Sequence, residues 1–334
     1  MLGKFRFAAF AAALGIAAFA AGAANAQGRI TLGTNPQGSI YYTVGGGIAA
    51  ALQEALGRQV TVQPYTGSSV YLPLVASGEL TLGINSSLDT GGVYRGDYGS
   101  KAEPKLRMLS RLWPLRIAFM VRANSDMKEV KDLKGKKVVT DFSALKAVGL
   151  ANQAMIKAGG LKLDDVKGVT VAGLVQGIDG LTDGSLDATS IAVGIPLTQQ
   201  AHASIPGGIR YLSITGPGAT DENLDKLFAG TYLLPVKPSP RLPEVTEPVT
   251  VLGYDVFLTT SADLPDEEAT KILEALYKSW PKIREDYPPV RSGIQKEMAK
   301  ASNTAPYHPA AIAFFKKMGL WTEANDKKEA TFSK

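Results

Sequence analysis

The sequence predicts a two-lobed α/β clamshell, each lobe a mainly parallel sheet with flanking helices, joined by two hinge crossings. Three observations carry this. Short apolar strands alternate with helices along most of the 334 residues, and two long apolar segments are placed to cross between sheets. The chain after the second crossing then returns with helices that complete the first lobe. Once a leader is removed, about 300 residues remain, enough for two lobes or one large α/β domain.

The leader comes first in the chain. Lys4 and Arg6, an uncharged Ala/Phe/Leu run and the triplet Ala24-Asn25-Ala26 are the three parts of a secretory signal. Residues 1–26 are therefore expected to be a signal peptide cleaved after Ala26, with the mature chain starting at Gln27. A single membrane anchor is the competing reading, but the run is rich in Ala and Gly, ends in small residues and has no stop-transfer charges after it. There is no cysteine, so neither a lipid-modified N-terminus nor a disulfide is available. A soluble periplasmic product without stable membrane insertion is expected, and no other apolar run reaches the ~18 residues needed to span a bilayer.

Strand Arg29–Thr34 leads through Asn35-Pro36-Gln37-Gly38 to Ser39, an N-cap for a helix reaching Leu56. Strand Gln59–Gln63, the turn Thr66-Gly67-Ser68, a short helix Ser69–Ser77 and strand Leu80–Ile84 repeat the plan. Right-handed crossovers then align the loops that follow the strands along one edge. Met108–Arg122 is long and apolar with Pro114 inside it, and reads as the first crossing between lobes. Strand Lys136–Thr140, a helix from Ser143 to Ala158, strand Val169–Val171, a helix at Gly177–Leu181 and strand Ala188–Val193 form a second unit. The Pro-rich stretch Pro235–Pro248 leads into Val249–Thr259, which crosses back, and helices Glu267–Trp280 and Pro309–Met318 finish the first lobe. The expected division is 27–115 plus 250–334 for lobe I and 116–249 for lobe II.

Composition excludes some functions. The net charge of +5 falls to +3 without the leader, which holds two basic residues and no acidic one, so nucleic acid is not indicated. The basic stretches Lys128–Lys137 and Lys316-Lys317 read as solvated faces. His202 and His308 form no metal-binding pattern, and neither a nucleophile elbow nor a phosphate loop occurs. No catalytic residue, metal or cofactor is assigned, and the chain is not expected to be an enzyme. Gly45-Gly46-Gly47-Ile48-Ala49-Ala50 satisfies G-x-G-x-x-A, but it lies inside the expected first helix, where close packing explains it better than a dinucleotide.

Ligand candidates come from the strand-to-helix turns, where unsatisfied N–H groups and the positive end of the helix dipole favour an anion. Ser39 to Tyr42, Thr66 to Ser69, Asp141-Phe142-Ser143 and Gly194-Ile195-Pro196 are such turns, each also readable as an ordinary cap. Tyr41 offers a ring and a hydroxyl, with core packing as its alternative. Asn85 follows a strand and presents an amide, unless it is a plain turn residue. Arg116, inside the first crossing, needs solvent or a partner, and either a ligand carboxylate or one of the protein's own would serve.

Gly33-Thr34, Gly38-Ser39-Ile40-Tyr41-Tyr42, Gly45-Gly46, Thr66-Gly67-Ser68-Ser69-Val70 and Ser77-Gly78-Glu79 together resemble the TAXI family of solute receptors of TRAP transporters. Asp132 to Val138, Leu181 to Ala188, Gly194-Ile195-Pro196 and Pro306 to Ala311 stand in that family's order. The resemblance implies a periplasmic binding protein of type II-like clamshell form. Such a receptor captures a small carboxylate-bearing solute, an organic acid or an amino acid, by hinge closure and delivers it to a sodium-coupled TRAP permease. It also implies Ser39, Tyr41, Ser68, Ser69, Ser143 and Ser190 as contacts. Ser68 and Ser69 would hold a carboxylate, Tyr41 would cover the carbon skeleton, and Ser143 with Ser190 would close from the second lobe.

The chain departs from the family where the ligand would be read. Thr140-Asp141-Phe142-Ser143 replaces a Gly-Ser-Gly-Thr type turn, Tyr71-Leu72 replaces Glu-Asn, and Asn85-Ser86-Ser87 replaces Gln-x-Asp. Arg116 stands at a generally apolar position. It is expected to neutralise a further acidic group, while Asp141 is the alternative receiver of a ligand amine. A receptor for another transporter class, a secreted enzyme and a scaffold with a filled cleft are the competing functions.

Overall fold

The computed structural model describes residues 28–99 and 101–332, without the side chain of Tyr98, and the expected signal peptide lies outside the described residues. The first lobe opens with β1 (Ile30–Thr34), α1 (Ile40–Leu56), β2 (Val60–Pro64), α2 (Ser68–Ser77), β3 (Leu82–Ser86) and α3 (Ser87–Arg95). Next, β4 (Leu106–Arg122) enters the second lobe, made of β5 (Lys137–Phe142), α4 (Lys146–Ala158), β6 (Lys167–Val171), α5 (Leu174–Asp183), β7 (Ala188–Ala192), α6 (Pro196–Ser204) and β8 (Ile209–Tyr211). Helix α7 (Asp221–Leu227) and β9 (Tyr232–Val236) precede the return strand β10 (Val249–Ser261). Helices α8 (Asp266–Asp286), α9 (Pro309–Lys317) and α10 (Glu323–Glu329) end the chain.

The strands form one open mixed sheet in the order β2-β1-β3-β10-β4-β7-β5-β6, with β8 on β4 and β9 on β10. Within it, β1 pairs parallel with β2 and β3, and β5 pairs parallel with β6 and β7. Antiparallel β4 and β10 join these two groups, pairing from Leu106↔Ser261 to Leu115↔Tyr254 and Ile117↔Leu252, with bulges after Val256 and Leu258. Both expected crossings are thus strands of one ribbon. Bulges let such a ribbon twist sharply between the two groups of strands.

Helices α3, α7 and α10 and strands β8 and β9 escape the sequence pattern, and several expected boundaries move. Helix α3 is nearly all buried despite its small and polar residues, so it carries no amphipathic stripe, and β9 sits at the edge of the Pro-rich stretch. Helix α4 begins at Lys146 instead of Ser143 because Ser143 N–H donates to Val171 O at 2.9 Å and Ala144 N–H to Ala172 O at 3.1 Å. Those bonds keep the chain extended beside β6. The third strand begins at Leu82 instead of Leu80, because Leu80 N–H is held by Leu74 O and Thr81 N–H by Thr31 Oγ1.

The helix α1 glycines divide by environment. A Cβ on Gly45 would lie 2.9 Å from Thr34 Cγ2 and one on Gly47 2.4 Å from the Tyr287 ring, whereas Gly46 faces open space. Two of the three therefore serve close packing, as the sequence suggested. Behind α1, Trp113 stacks on Trp280 with ring centres 6.5 Å apart and meets Tyr41 edge-on at 6.2 Å. Arg111, buried in β4 beside them, bonds Asp255 at 2.9 Å and Glu297 at 2.7 Å, tying β4 to β10 and to the C-terminal segment.

His308 is packed, not a ligand. Its Nδ1 accepts from Ala310 N–H at 3.3 Å, capping α9, and its Nε2 lies 2.9 Å from Leu264 O, so Nε2 carries the proton. Burial lowers its pKa below the ordinary 6.5. A depressed histidine stabilises the fold above its unfolded pKa, and that stability is lost as pH falls through the folded pKa. Urea denaturation is therefore expected to show a decline in stability from pH 7 toward ~5. His308→Asn keeps the capping acceptor without titrating there and should flatten the decline, whereas an unchanged profile would remove His308 as its source.

Candidate functional site

The loops after β1, β2 and β3 face those after β5, β6 and β7, so the carboxyl ends of both parallel groups meet across a cleft spanned by β4 and β10. Open α/β sheets place ligands at such ends. The lobes touch closely in this structure. A Cβ on Gly67 would lie 2.0 Å from Ala144 O, and one on Gly173 3.3 Å from Thr66 O. Lys146 N–H donates to Ser69 Oγ at 3.4 Å, and Leu197 N–H to Gly38 O at 3.4 Å.

At the centre lies a cavity of about 30 Å³. The first lobe lines it with Asn35, Ser39, Ile40 and Tyr41, and the hinge strands with Leu115, Ile117 and Tyr254. The second lobe adds Leu145, Leu174, Ala192 and Ile195. That volume suits about one water, so the lobes must part to admit an organic solute. An outer recess of about 310 Å³, lined by Gln37, Tyr65, Thr66, Gly173 and Gln176 among others, shares Leu174 with the centre and marks an approach.

The sequence candidates separate in space. Ser39 and Tyr41 line the centre, Ser39 Oγ accepting from Tyr42 N–H at 3.2 Å while Tyr41 is nearly enclosed. Burial, followed by the neighbouring Tyr254 hydroxyl, raises the Tyr41 pKa well above 10, so the phenol remains a neutral donor. Ser190 lies two residues before Ala192 on the same strand face, and its buried Oγ has no hydrogen-bond partner among the described residues. Asn35 Oδ1 is likewise without one at the cavity wall.

Ser68 is engaged elsewhere. Its Oγ donates to the buried Asp89 carboxylate at 2.7 Å, which also accepts from Ser86 Oγ at 2.6 Å and from the backbone N–H of Ala147 in the opposite lobe. Burial raises the Asp89 carboxyl, and these three bonds oppose the rise. A carboxylate of the protein itself thus occupies the junction of α2 and α4 where helix dipoles favour an anion. The signal for it was legible in Ser86-x-x-Asp89, a helix-start pattern, and Asp89 N–H is bonded to Ser86 Oγ at 2.8 Å.

The remaining candidates lie outside the central cavity. Asn85 donates to Thr90 Oγ1 and accepts from Thr259 at 2.6 Å within the first lobe. Thr140 abuts Gly168 of β6. Asp141 accepts from Phe142 N–H at 2.8 Å and from Lys146 Nζ at 3.2 Å, and Ser143 is exposed, bonded to Ala172 O at 3.4 Å. Arg116 borders a crevice of about 10 Å³ that shares Ile40, Leu115 and Ala192 with the cleft. Its guanidinium has no hydrogen bond or ion pair among the described residues, and burial lowers its pKa.

A groove of about 950 Å³ between α3, α4 and α7 is larger. Its acids are already used, Asp221 on Leu233 N–H, Asp225 on Gly230 N–H, Glu222 on Lys226, Asp97 on Arg95 and Asp255 on Arg111, and of the six facing strand ends it meets only that of β3, at Ser87 and Leu88. The cleft is therefore the candidate site.

Residues 32–319 match the NMT1-like family, which is most of the chain. The chain belongs to that family. The NMT1-like chain is also similar to several solved structures. BugD is 13% identical with a TM-score of 0.56, and the match covers 91% of this chain and 96% of BugD. A structure described as a periplasmic transporter is 14% identical at a TM-score of 0.53, over 93% of this chain and 98% of its own. MatC from Rhodopseudomonas palustris with bound malate is 14% identical at 0.52, over 92% and 99% respectively. These likenesses establish the fold as that of periplasmic binding proteins. Among the described residues no helix is long and apolar enough to cross a membrane.

Proposed function

We propose that this NMT1-like protein is a periplasmic solute receptor that closes over a small carboxylate-bearing molecule, an organic acid or an amino acid, and presents it to a membrane permease. The observation that carries the reading is the meeting of six strand-end loops, three from each lobe, around a cleft bridged by two antiparallel strands. Such an arrangement traps a ligand by hinge motion. Lobe boundaries near 115/116 and 249/250 suit it, since Arg116 pairs with Gly253 next to the end of the hinge ribbon that adjoins the second group of strands. The motif order shared with TAXI receptors favours a sodium-coupled TRAP permease as partner, and the leader favours the periplasm.

A thermal-shift screen of the mature protein, refolded to strip any carried ligand, tests the reading against organic acids, keto acids and amino acids. A ligand that binds only the folded state raises the melting temperature, by about 2.7 kcal/mol of added stability at 100 times its Kd. A clear shift with one chemical class is expected, and no shift with any would overturn the proposal. Arg116 supplies the cation of the site in this reading. Arg116→Ala is expected to weaken the bound solute by about 2 kcal/mol, roughly 30-fold, in calorimetric titration, and an unchanged Kd would remove it from the site.

A further inference from the structure

We infer that the cleft takes a monocarboxylic acid with an apolar body, and excludes both α-amino acids and dicarboxylates; this narrows the receptor reading above and rests on it. Seven of the eleven residues around the central cavity are aliphatic, and the other four, Asn35, Ser39, Tyr41 and Tyr254, are neutral. No acidic side chain lines the cavity. An ammonium moved there from water would find no countercharge, and a buried unpaired charge is strongly disfavoured.

The acids near the cleft are spent: Asp255, next to Tyr254 in the chain, is paired with Arg111 at 2.9 Å. Asp89 is 2% exposed and holds Ser68, Ser86 and Ala147 N–H, while Asp141 is paired with Lys146 at 3.2 Å. Asp89 also occupies the place where α2 and α4 would otherwise receive a ligand carboxylate. Among the described residues one cation without a protein partner borders the cleft, Arg116, in a separate small crevice that shares Ile40, Leu115 and Ala192 with the cavity, and parting of the lobes must open the way between them. One guanidinium matches one carboxylate in bidentate fashion. The aliphatic walls and the Tyr41 and Tyr254 rings then receive a branched or aromatic body, with Asn35 Oδ1 and Ser190 Oγ, which have no protein partner among the described residues, available to a neutral oxo or hydroxyl substituent.

The test is calorimetric titration of the mature protein with probes sharing one skeleton: 4-methylpentanoate, 4-methyl-2-oxopentanoate, leucine and 4-methylpentanamide, with phenylacetate, phenylglycine and glutarate as a second set. At least one monocarboxylate is expected to bind at least about tenfold more tightly than its amino counterpart, its amide or glutarate. Arg116→Ala should remove that preference for acid over amide, with Arg116→Lys restoring part of it and neither variant shifting the melting temperature of the unliganded protein. Leucine, phenylglycine or glutarate binding ahead of the monocarboxylates overturns this inference and leaves solute capture standing. Binding by none of the probes, when the broad screen does yield a ligand of another class, overturns this inference alone, and failure of both overturns the two together.

Discussion

Gly67→Val is expected to lower solute affinity by about 100-fold or more, roughly 3 kcal/mol, while leaving the melting temperature of the unliganded protein nearly unchanged. Gly67 sits at φ −179° and ψ 168°, an extended conformation open to any residue, so the first lobe tolerates the side chain. The second lobe does not. A Cβ would lie 2.0 Å from Ala144 O and 2.7 Å from Ala144 C, both backbone atoms with no rotamer to yield. The lobes would have to stand apart, and a ligand that needs contacts from both would lose half of them. Titration of the bound solute, with small-angle scattering to follow compaction, checks this. Wild-type affinity in the variant would show that closure as seen here is not the ligand-binding state.

Arg111→Met is expected to destabilise the fold by about 3–5 kcal/mol, because it leaves a buried carboxylate without its countercharge. Asp255 is 3% exposed, and without Arg111 it keeps only the Tyr232 hydroxyl at 3.2 Å. Glu297 also loses its bond at 2.7 Å, one of the ties between the C-terminal segment and β4. For a chain of this size the melting temperature should fall by about 5 °C or more. The double variant Arg111→Met with Asp255→Asn should recover much of that loss, since removing both members of a buried pair is often close to neutral. A single variant that melts as the wild type does would mean that water reaches Asp255 and satisfies it.

Arg111 and Arg116 show why the site was only partly legible. Both lie in one apolar segment, and from sequence either could have been the arginine that meets an acid. Which one finds a partner within the fold depends on Asp255 and Glu297, more than 140 residues away in the chain. Helix starts were more readable, since Ser39 caps α1 through an atom three residues distant. Ser143 fails by the same logic, because Val171 and Ala172 claim the backbone around it from another strand. Ser68 was expected in the turn that caps the short helix, yet it is that helix's first residue and its partner is Asp89, brought in by a helix too buried and too small in its side chains to show a period.

What the sequence determined by itself is therefore what local spacing encodes: the alternation of strands and helices, the two long crossings, the Ser39 cap and the glycines that let α1 pack closely. These rest on contacts between residues a few positions apart, and on the hydrophobic period that sorts inside from outside. Only the tertiary structure decided which polar groups the protein uses for itself and which it leaves for a solute. Asp89, Asn85 and Asp141 are consumed by internal bonds, while Arg116, Asn35 and Ser190 are not. That division depends on partners brought together from distant parts of the chain by the order in which its strands pair, and no local pattern carries it.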